Sequence, residues 1–232
     1  MLTYLDPNFS KQPFPDVHNA LKNPNGLVAV GGCLSPERLI NAYKQGIFPW
    51  FNPGDPLLWW SPDPRLSLFP NQFKPSKSLQ RLFKKNKFTL TVNQFFPEVI
   101  QACARPRKNQ PKTWISPEMI SAYKSLHNKG FAHSVEVSRN NTLVGGLYGV
   151  SIGQVFFGES MFHIESNASK IAFYYLIMKL REWDYHLIDC QVKSDHLMNW
   201  GAKELPRTEF IALVNQYCVK STALAAWKDN NP

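Results

Sequence analysis

Two short runs set carboxyl and amide side chains inside otherwise apolar, strand-like sequence. In VFFGESMF (155–162) Glu159 follows four apolar or small residues, and in HLIDCQV (186–192) Asp189 and Gln191 flank Cys190. Side chains alternate along a strand, so Asp189 and Gln191 share one face with Leu187, a core-type residue, while Cys190 points the other way. A buried carboxylate is costly unless it is partnered or used. Glu159 and Asp189 on neighbouring strands therefore read in two ways: as a carboxylate-lined site, which is the preferred reading, or as a structural hydrogen-bond network.

The chemistry open to such a site is bounded by what accompanies it. The chain has no GxSxG elbow and no HExxH pair. Its four cysteines, Cys33, Cys103, Cys190 and Cys218, are far apart and read as free thiols of a reducing compartment rather than metal ligands. His186 falls on the same strand face as Cys190, which leaves a Cys–His pair as a minor alternative. Direct acyl transfer fits better: a carboxylate positions or deprotonates an amine, which attacks an activated carbonyl.

The elements that must position these residues follow from periodicity. AHSVEVSR (132–139), TLVGGLYGVSIG (142–153) and QVFFGESMF (154–162) are β-rich, with turns at 139–141 and Gly153, and predict an antiparallel meander. A helix over about 167–182, capped by Ser166 or Asn167, leads to a strand at 185–192, then to helices near 194–200 and 207–219. Upstream, a helix at 76–86, a strand at 87–92 and helices at 95–104 and 116–129 are expected around a polar loop at 105–112. Three antiparallel strands, a long helix, and a strand able to pair beside the third give an α/β fold with a GNAT-type core. In that arrangement, neighbouring strand ends flank a cleft facing a helix N-terminus. Residues 1–65 are rich in Pro, Gly and Asn and show one clear helix, with Ser35 as N-cap, Pro36 at its first position, Leu39, Ile40 and Tyr43 on its apolar side, and Gly46 as its stop. The proline cluster at 53–64 is the expected boundary between a small α+β N-terminal domain (1–64) and a GNAT-like domain (65–232) packed on it.

The acyl donor can be narrowed. A CoA-dependent enzyme needs a Gly-rich loop at the helix start, and FHIESNASK has no glycine there. The net charge is +9, and Lys74 to Lys87 holds six basic residues and no acidic one. Lys77, Arg81, Lys84 and Lys85 make one helical stripe opposite Leu79, Leu82 and Phe83, which is either a solvated face or a phosphate-binding surface. Arg105, Arg107, Lys108 and Lys112 form a second acid-free patch. GIFPWFNPGDPLLWWSPDPR (46–65) packs three tryptophans among five prolines, a loop pinned over the core or a rigid stacking surface for a nucleobase. Basic stripe, aromatic rings and an acyl-transfer core without a CoA loop point to aminoacyl-tRNA. No apolar run approaches the roughly 20 residues of a membrane helix, and the N-terminus lacks a signal-peptide pattern, so a cytoplasmic protein is expected.

PNGLVAVGGCLSPERLINAYKQGIFPWF, LWWSPDPR, TWIS, HSVEV, GGLYGV, FFGESMF, NASK and LIDCQV, in order over about residues 23–210, resemble the leucyl/phenylalanyl-tRNA–protein transferases of bacteria. The resemblance implies transfer of Leu or Phe from aminoacyl-tRNA to proteins beginning with Arg or Lys, feeding N-degron degradation, by a cytoplasmic monomer without metal or other cofactor. It implies that Trp50 and Trp114 flank the terminal adenosine while Trp59 and Trp60 hold the segment. It assigns Asp189 and Gln191 as base and relay, Glu159 as the substrate-orienting carboxylate, and Leu147, Phe156, Phe173, Leu176 and Leu180 as the aminoacyl pocket. Ser160 joins the substrate-binding set, and Lys77, Arg81, Lys84 and Lys85 contact tRNA. The chain departs from the pattern with Leu147 where Met is common, Leu176 and Leu180 where Phe can occur, and Ser194 where Asn is often found. The competing readings are a CoA-dependent N-acetyltransferase of the same fold and a non-catalytic RNA-binding module.

Overall fold

The computed structural model describes residues 2–85, 87–106 and 113–228. The chain opens with β1 (Thr3–Leu5), β2 (Leu27–Gly31), α1 (Pro36–Lys44), β3 (Phe48–Pro49) and β4 (Leu58–Trp60). It continues through β5 (Arg65–Leu68), α2 (Lys77–Lys84), β6 (Thr89–Val92), α3 (Phe96–Cys103) and α4 (Pro117–Asn128). The remainder is β7 (Ala132–Arg139), β8 (Thr142–Ile152), β9 (Val155–His163), α5 (Ala168–Glu182), β10 (Leu187–Gln191), α6 (Asp195–Met198), β11 (Lys203–Leu205) and α7 (Arg207–Tyr217).

Local chemistry explains most boundaries. Ser35, Ser76 and Ser116 each accept a hydrogen bond from a backbone N–H three residues on, opening α1, α2 and α4. Gly46 ends α1 at φ +68°, a left-handed conformation that glycine adopts without strain. Asn140 and Asn141 take φ of +50° and +60°, the paired positive angles of a type I′ hairpin turn joining β7 to β8. At the start of α5 the expected side-chain cap is absent. Asn167 occupies the N-cap in a left-handed conformation (φ +71°) and makes no capping bond with its side chain.

The strands form a seven-stranded sheet, β11-β5-β10-β9-β8-β7-β6, and a four-stranded sheet, β1-β2-β4-β3. The meander is antiparallel, and β10 returns after α5 to lie parallel to β9, which is the GNAT-type order expected from the sequence. The small sheet, β5 and β11 are the additions: sequence reading found only one helix before residue 65. These strands are short and proline-bounded, so they carry little periodic signal. β5 follows the proline cluster directly and inserts between β11 and β10.

The large sheet separates two apolar cores. One holds Tyr43, Trp59, Phe96, Tyr123, Phe157, Leu187 and Phe210, so residues on both sides of the proline cluster share it. The other holds Leu79, Leu147, Phe156, Leu176, Leu180 and Ile188 beneath α2 and α5. Leu147/Tyr148, Phe156/Phe157 and Leu187/Ile188 divide between the two, the alternation that a central strand imposes. Among the described residues, no helix is long and apolar enough to cross a membrane.

Candidate active site

The parallel pairing of β9 with β10 runs from Leu187↔Val155 to Asp189↔Phe157 and ends there. Beyond it both strands bulge. Against β8, the β9 register passes from Gly149↔Gly158 to Tyr148↔Ser160, leaving Glu159 as the extra residue. Against β5, the β10 register skips Cys190, and Gln191 takes φ +64°. A bulge re-aims side chains and interrupts the ladder, so the two strands splay at the residues suspected of chemistry. The alternation expected along β10 therefore holds through Asp189 and breaks at Cys190. On β9 the parity also flips: Phe157 and Phe162, five residues apart, face one core while Met161 packs on the other. Gly149 is required beside the bulge, because a Cβ there would stand 2.3 Å from the Phe157 carbonyl oxygen.

A cavity of about 250 Å³ opens at this splay. It is smaller than the roughly 300–1,000 Å³ of pockets for drug-sized ligands, on the scale of one amino-acid side chain. Leu147, Phe156, Met161, Phe173, Leu176, Ile188 and Leu197 line its apolar part, and Tyr148, Glu159, Ser160, Asp189, Cys190 and Gln191 its polar part.

Asp189 is fully buried and bound by a fully buried arginine, Arg65, whose Nε and Nη2 donate to Oδ1 and Oδ2 at 2.8 and 2.7 Å. The Gln191 backbone N–H donates to Oδ1 as well, at 2.9 Å. The rings of Phe48 and Phe210 each lie 4.6 Å from the Arg65 guanidinium. Such bidentate, aromatic-flanked geometry suits arginine and fixes both partners. Asp189 is thus the counter-charge of a buried cation and the anchor of the β10 bulge.

Glu159 sits in a different environment. Tyr43 and Tyr123 reach its Oε1 and Oε2 at 2.6 and 2.9 Å, and their own hydroxyls are 2.5 Å apart. The Gln191 amide donates to Oε1 at 3.2 Å. Three oxygen–oxygen contacts close a ring, but two phenols supply two protons. The third proton is the carboxyl's own, so the geometry describes a neutral Glu159. Its pKa agrees, raised to about 8 by burial, with the Tyr43 and Tyr123 bonds opposing and the Asp189 charge adding to the rise. Burial pushes Tyr43 and Tyr123 well above the usual phenol range, so both keep their protons.

Cys190 is a poor nucleophile: burial, then the charge of Asp189, pushes its thiol up. His186 does not serve it. Its ring stacks on Tyr217 with centroids 4.5 Å apart, and its Nε2 lies 3.5 Å from Asp184. Among the described residues, no cluster of three or more His, Cys, Asp or Glu could hold a metal ion.

Of the residues singled out from sequence, Asp189, Gln191, Glu159, Leu147, Phe156, Ser160, Phe173 and Leu176 meet at the cavity. Leu180 is fully buried in the adjoining core, four residues beyond Leu176 on α5, and is not on the wall. Trp50 and Trp114 are also off the wall. Trp50 is 46% exposed, its ring edge-on to Trp60 at 6.1 Å, and Trp60 Nε1 donates to the Trp50 carbonyl at 2.6 Å. Trp59 is fully buried and donates to the Gly31 carbonyl at 2.8 Å. The segment is therefore pinned by Trp59 and Trp60 and leaves one ring outward. Lys77, Arg81 and Lys84 along α2 and Lys85 at its C-cap are all exposed, with Leu79 buried beneath. Arg105 is exposed, whereas Arg107, Lys108 and Lys112 lie outside the described residues. Sequence reading missed Arg65, Tyr123 and Tyr148, and took Tyr43 for an apolar face. The usable signal was that a buried tyrosine needs a hydroxyl partner.

Residues 67–215 match the family described as leucyl/phenylalanyl-tRNA protein transferase, and residues 32–63 match the N-terminal domain of that family. A leucyl/phenylalanyl-tRNA–protein transferase of Nitrosomonas europaea is 57% identical over 208 residues, covering 90% of this chain and 88% of the relative. The enzyme of the same name from Methylococcus capsulatus is 50% identical over 228 residues, 98% and 97% of the two chains. Among solved structures, a GCN5-related N-acetyltransferase from Kribbella flavida aligns with a TM-score of 0.39 at 12% identity, over 72% of this chain and 60% of that one.

Proposed function

The chain belongs to the leucyl/phenylalanyl-tRNA–protein transferase family, a family of aminoacyltransferases, and from that premise we propose that it moves Leu or Phe from aminoacyl-tRNA to the α-amino group of proteins beginning with Arg or Lys. The product is a destabilising N-terminus for N-degron degradation, made in the cytoplasm by a monomer. The observation that carries this reading is a cavity sized for one side chain, apolar at one end and ending in Glu159, Asp189 and Gln191 at the other.

In this reading Leu147, Phe156, Phe173 and Leu176 hold the aminoacyl side chain, with Leu180 packed behind them. The ester carbonyl then faces the polar end, where the incoming amine attacks. The C–N bond forms, the bond to the ribose oxygen breaks, and the proton given up by the amine ends on the departing oxygen. Asp189, fixed by Arg65, holds the Gln191 backbone in its bulged shape. Gln191 in turn links that anchor to Glu159, which orients the substrate from its tyrosine ring. Ser160 borders the same space. Trp50 and Trp114 stack on the terminal adenosine, and Lys77, Arg81, Lys84 and Lys85 take tRNA phosphates.

The test is direct. Incubation with radiolabelled Leu-tRNA or Phe-tRNA and a peptide with N-terminal Arg is expected to move label into the peptide. The same peptide with an acetylated N-terminus should stay unlabelled. Absence of transfer from both tRNAs would refute the reading.

A further inference from the structure

Nearly every buried polar side-chain atom around the cavity is committed within the protein. The Asp189 oxygens take Arg65 and the Gln191 N–H, the Glu159 oxygens take Tyr43, Tyr123 and Gln191, and the Gln191 amide gives one N–H to Glu159. Tyr148 is the exception. It lines the cavity, it is fully buried, and its hydroxyl has no hydrogen-bond partner among the described residues. Six other described residues have buried side-chain atoms in that condition, and none of them borders this cavity. An unpaired buried hydroxyl is costly and calls for an explanation.

The ring is held in place. It meets Tyr123 edge-on with centroids 5.5 Å apart and Phe96 edge-on at 6.0 Å, and its backbone pairs opposite Ser160 beside the bulge. The phenol keeps its proton, since burial raises its pKa well above the usual value. It is a neutral donor on a cavity wall that also carries Glu159 and Asp189. The substrate brings two polar groups to this end of the cavity. An amine arriving there meets Glu159 and Asp189, whose oxygens already hold the bonds given above. A carbonyl oxygen needs a donor, and the Gln191 amide has already given one of its two N–H groups to Glu159.

We propose that the Tyr148 hydroxyl donates a hydrogen bond to the carbonyl oxygen of the aminoacyl ester and strengthens it as that oxygen becomes an oxyanion. This rests on the acyl-transfer reading above. As the amine nitrogen bonds to the carbonyl carbon, the π pair moves onto oxygen and is held there by the Tyr148 O–H, which keeps its proton. The pair returns when the ribose oxygen leaves with the proton lost by the amine. A donor placed for charge that develops only in the transition state acts on rate more than on affinity.

Tyr148→Phe removes the hydroxyl and leaves the ring. Under single turnover with saturating Phe-tRNA, the rate of transfer to an N-terminal Arg peptide should fall about 10²-fold or more. Affinity for a non-reactive phenylalanyl-adenosine amide should stay within about three-fold, and the melting temperature should hold or rise because an unpaired hydroxyl has gone. A rate within about three-fold of wild type would overturn the proposal, as would a loss of affinity equal to the loss of rate. A melting temperature lowered in step with activity would also overturn it, returning the hydroxyl to the core. Wild-type protein in the same assay separates the two ideas, since its failure to transfer would refute acyl transfer itself.

Discussion

Asp189 and Glu159 are two carboxyls on adjacent strands with opposite surroundings, and the difference decides how each substitution should behave. Asp189→Ala leaves the Arg65 guanidinium buried without its counter-charge, with both side chains at 0% exposure. Removing one member of such a pair costs about 3–5 kcal/mol, so this variant should lose stability as well as activity, read as a lower urea midpoint. Pairing Asp189→Leu with Arg65→Leu should recover most of the stability and none of the transfer activity. If the double variant is no more stable than Asp189→Ala alone, the ion pair is not what the carboxylate secures. Glu159 predicts a pH effect instead. Its pKa is raised from 4.5 to about 8, so between those values the folded state holds a proton that the unfolded chain releases. The associated stability is complete below the lower value and is lost as pH rises through the upper one. The melting temperature of the wild type should therefore decline from pH 5 to 9, and Glu159→Gln, which cannot ionise, should flatten the decline. A slope unchanged in Glu159→Gln would assign it to other groups. Both carboxyls were legible in the sequence because charge inside an apolar strand is anomalous. Arg65 was not, since it lies 124 residues from Asp189 in a proline-bounded stretch and looks like any arginine after a turn.

Elements differ in how much of their purpose a period can reveal. The meander, α5 and β10 were readable because long β-rich runs and one long helix leave few topologies. The bulges at Glu159 and Cys190 were not, since a register shift depends on the partner strand as much as on the strand itself. They nevertheless create the site by ending the pairing of β9 with β10 where the polar residues begin. The basic helix is the opposite case: its stripe follows from spacing alone, and the structure leaves all four cations in solvent. If Lys77 and Arg81 neutralise phosphates, changing both to Ala should weaken tRNA binding and reduce the slope of log affinity against log salt by about one to two units. Binding of a short aminoacyl-adenosine analogue should hardly change, because it lacks the phosphates. Equal weakening of both ligands would mean that α2 supports the fold rather than the tRNA.

At the scale of the molecule, the proline cluster divides two sheets without dividing the chemistry. α1 supplies Tyr43 to the Glu159 ring, and β3 supplies Phe48 to one side of the Arg65 guanidinium. Trp59 and Tyr43 share a core with Phe96, Tyr123 and Phe210 from beyond the cluster. The far end is tied down as well: Trp227 stacks on His133 with centroids 4.3 Å apart and donates to the Tyr185 hydroxyl at 2.7 Å. The sequence predicts a small N-terminal domain packed on a larger one, but gives no sign that the larger one needs it. The shared core predicts such a dependence. Without residues 1–64, Tyr123 alone would bond Glu159 among the tyrosines, the Arg65–Asp189 pair would lose one aromatic cover, and the surfaces of α4 and β8 that α1 covers would be opened to water. Exposing a contiguous core of this kind costs more than a single domain usually has in reserve. The intact chain should then unfold in one cooperative step, with tryptophan fluorescence and far-ultraviolet circular dichroism giving coincident transitions. A fragment of residues 65–232 should show no cooperative transition and should bind a hydrophobic dye. A fragment that melts cooperatively on its own would show instead that the shared core is an interface between two independently stable units, and that Tyr43 reaches Glu159 across it only after each has folded.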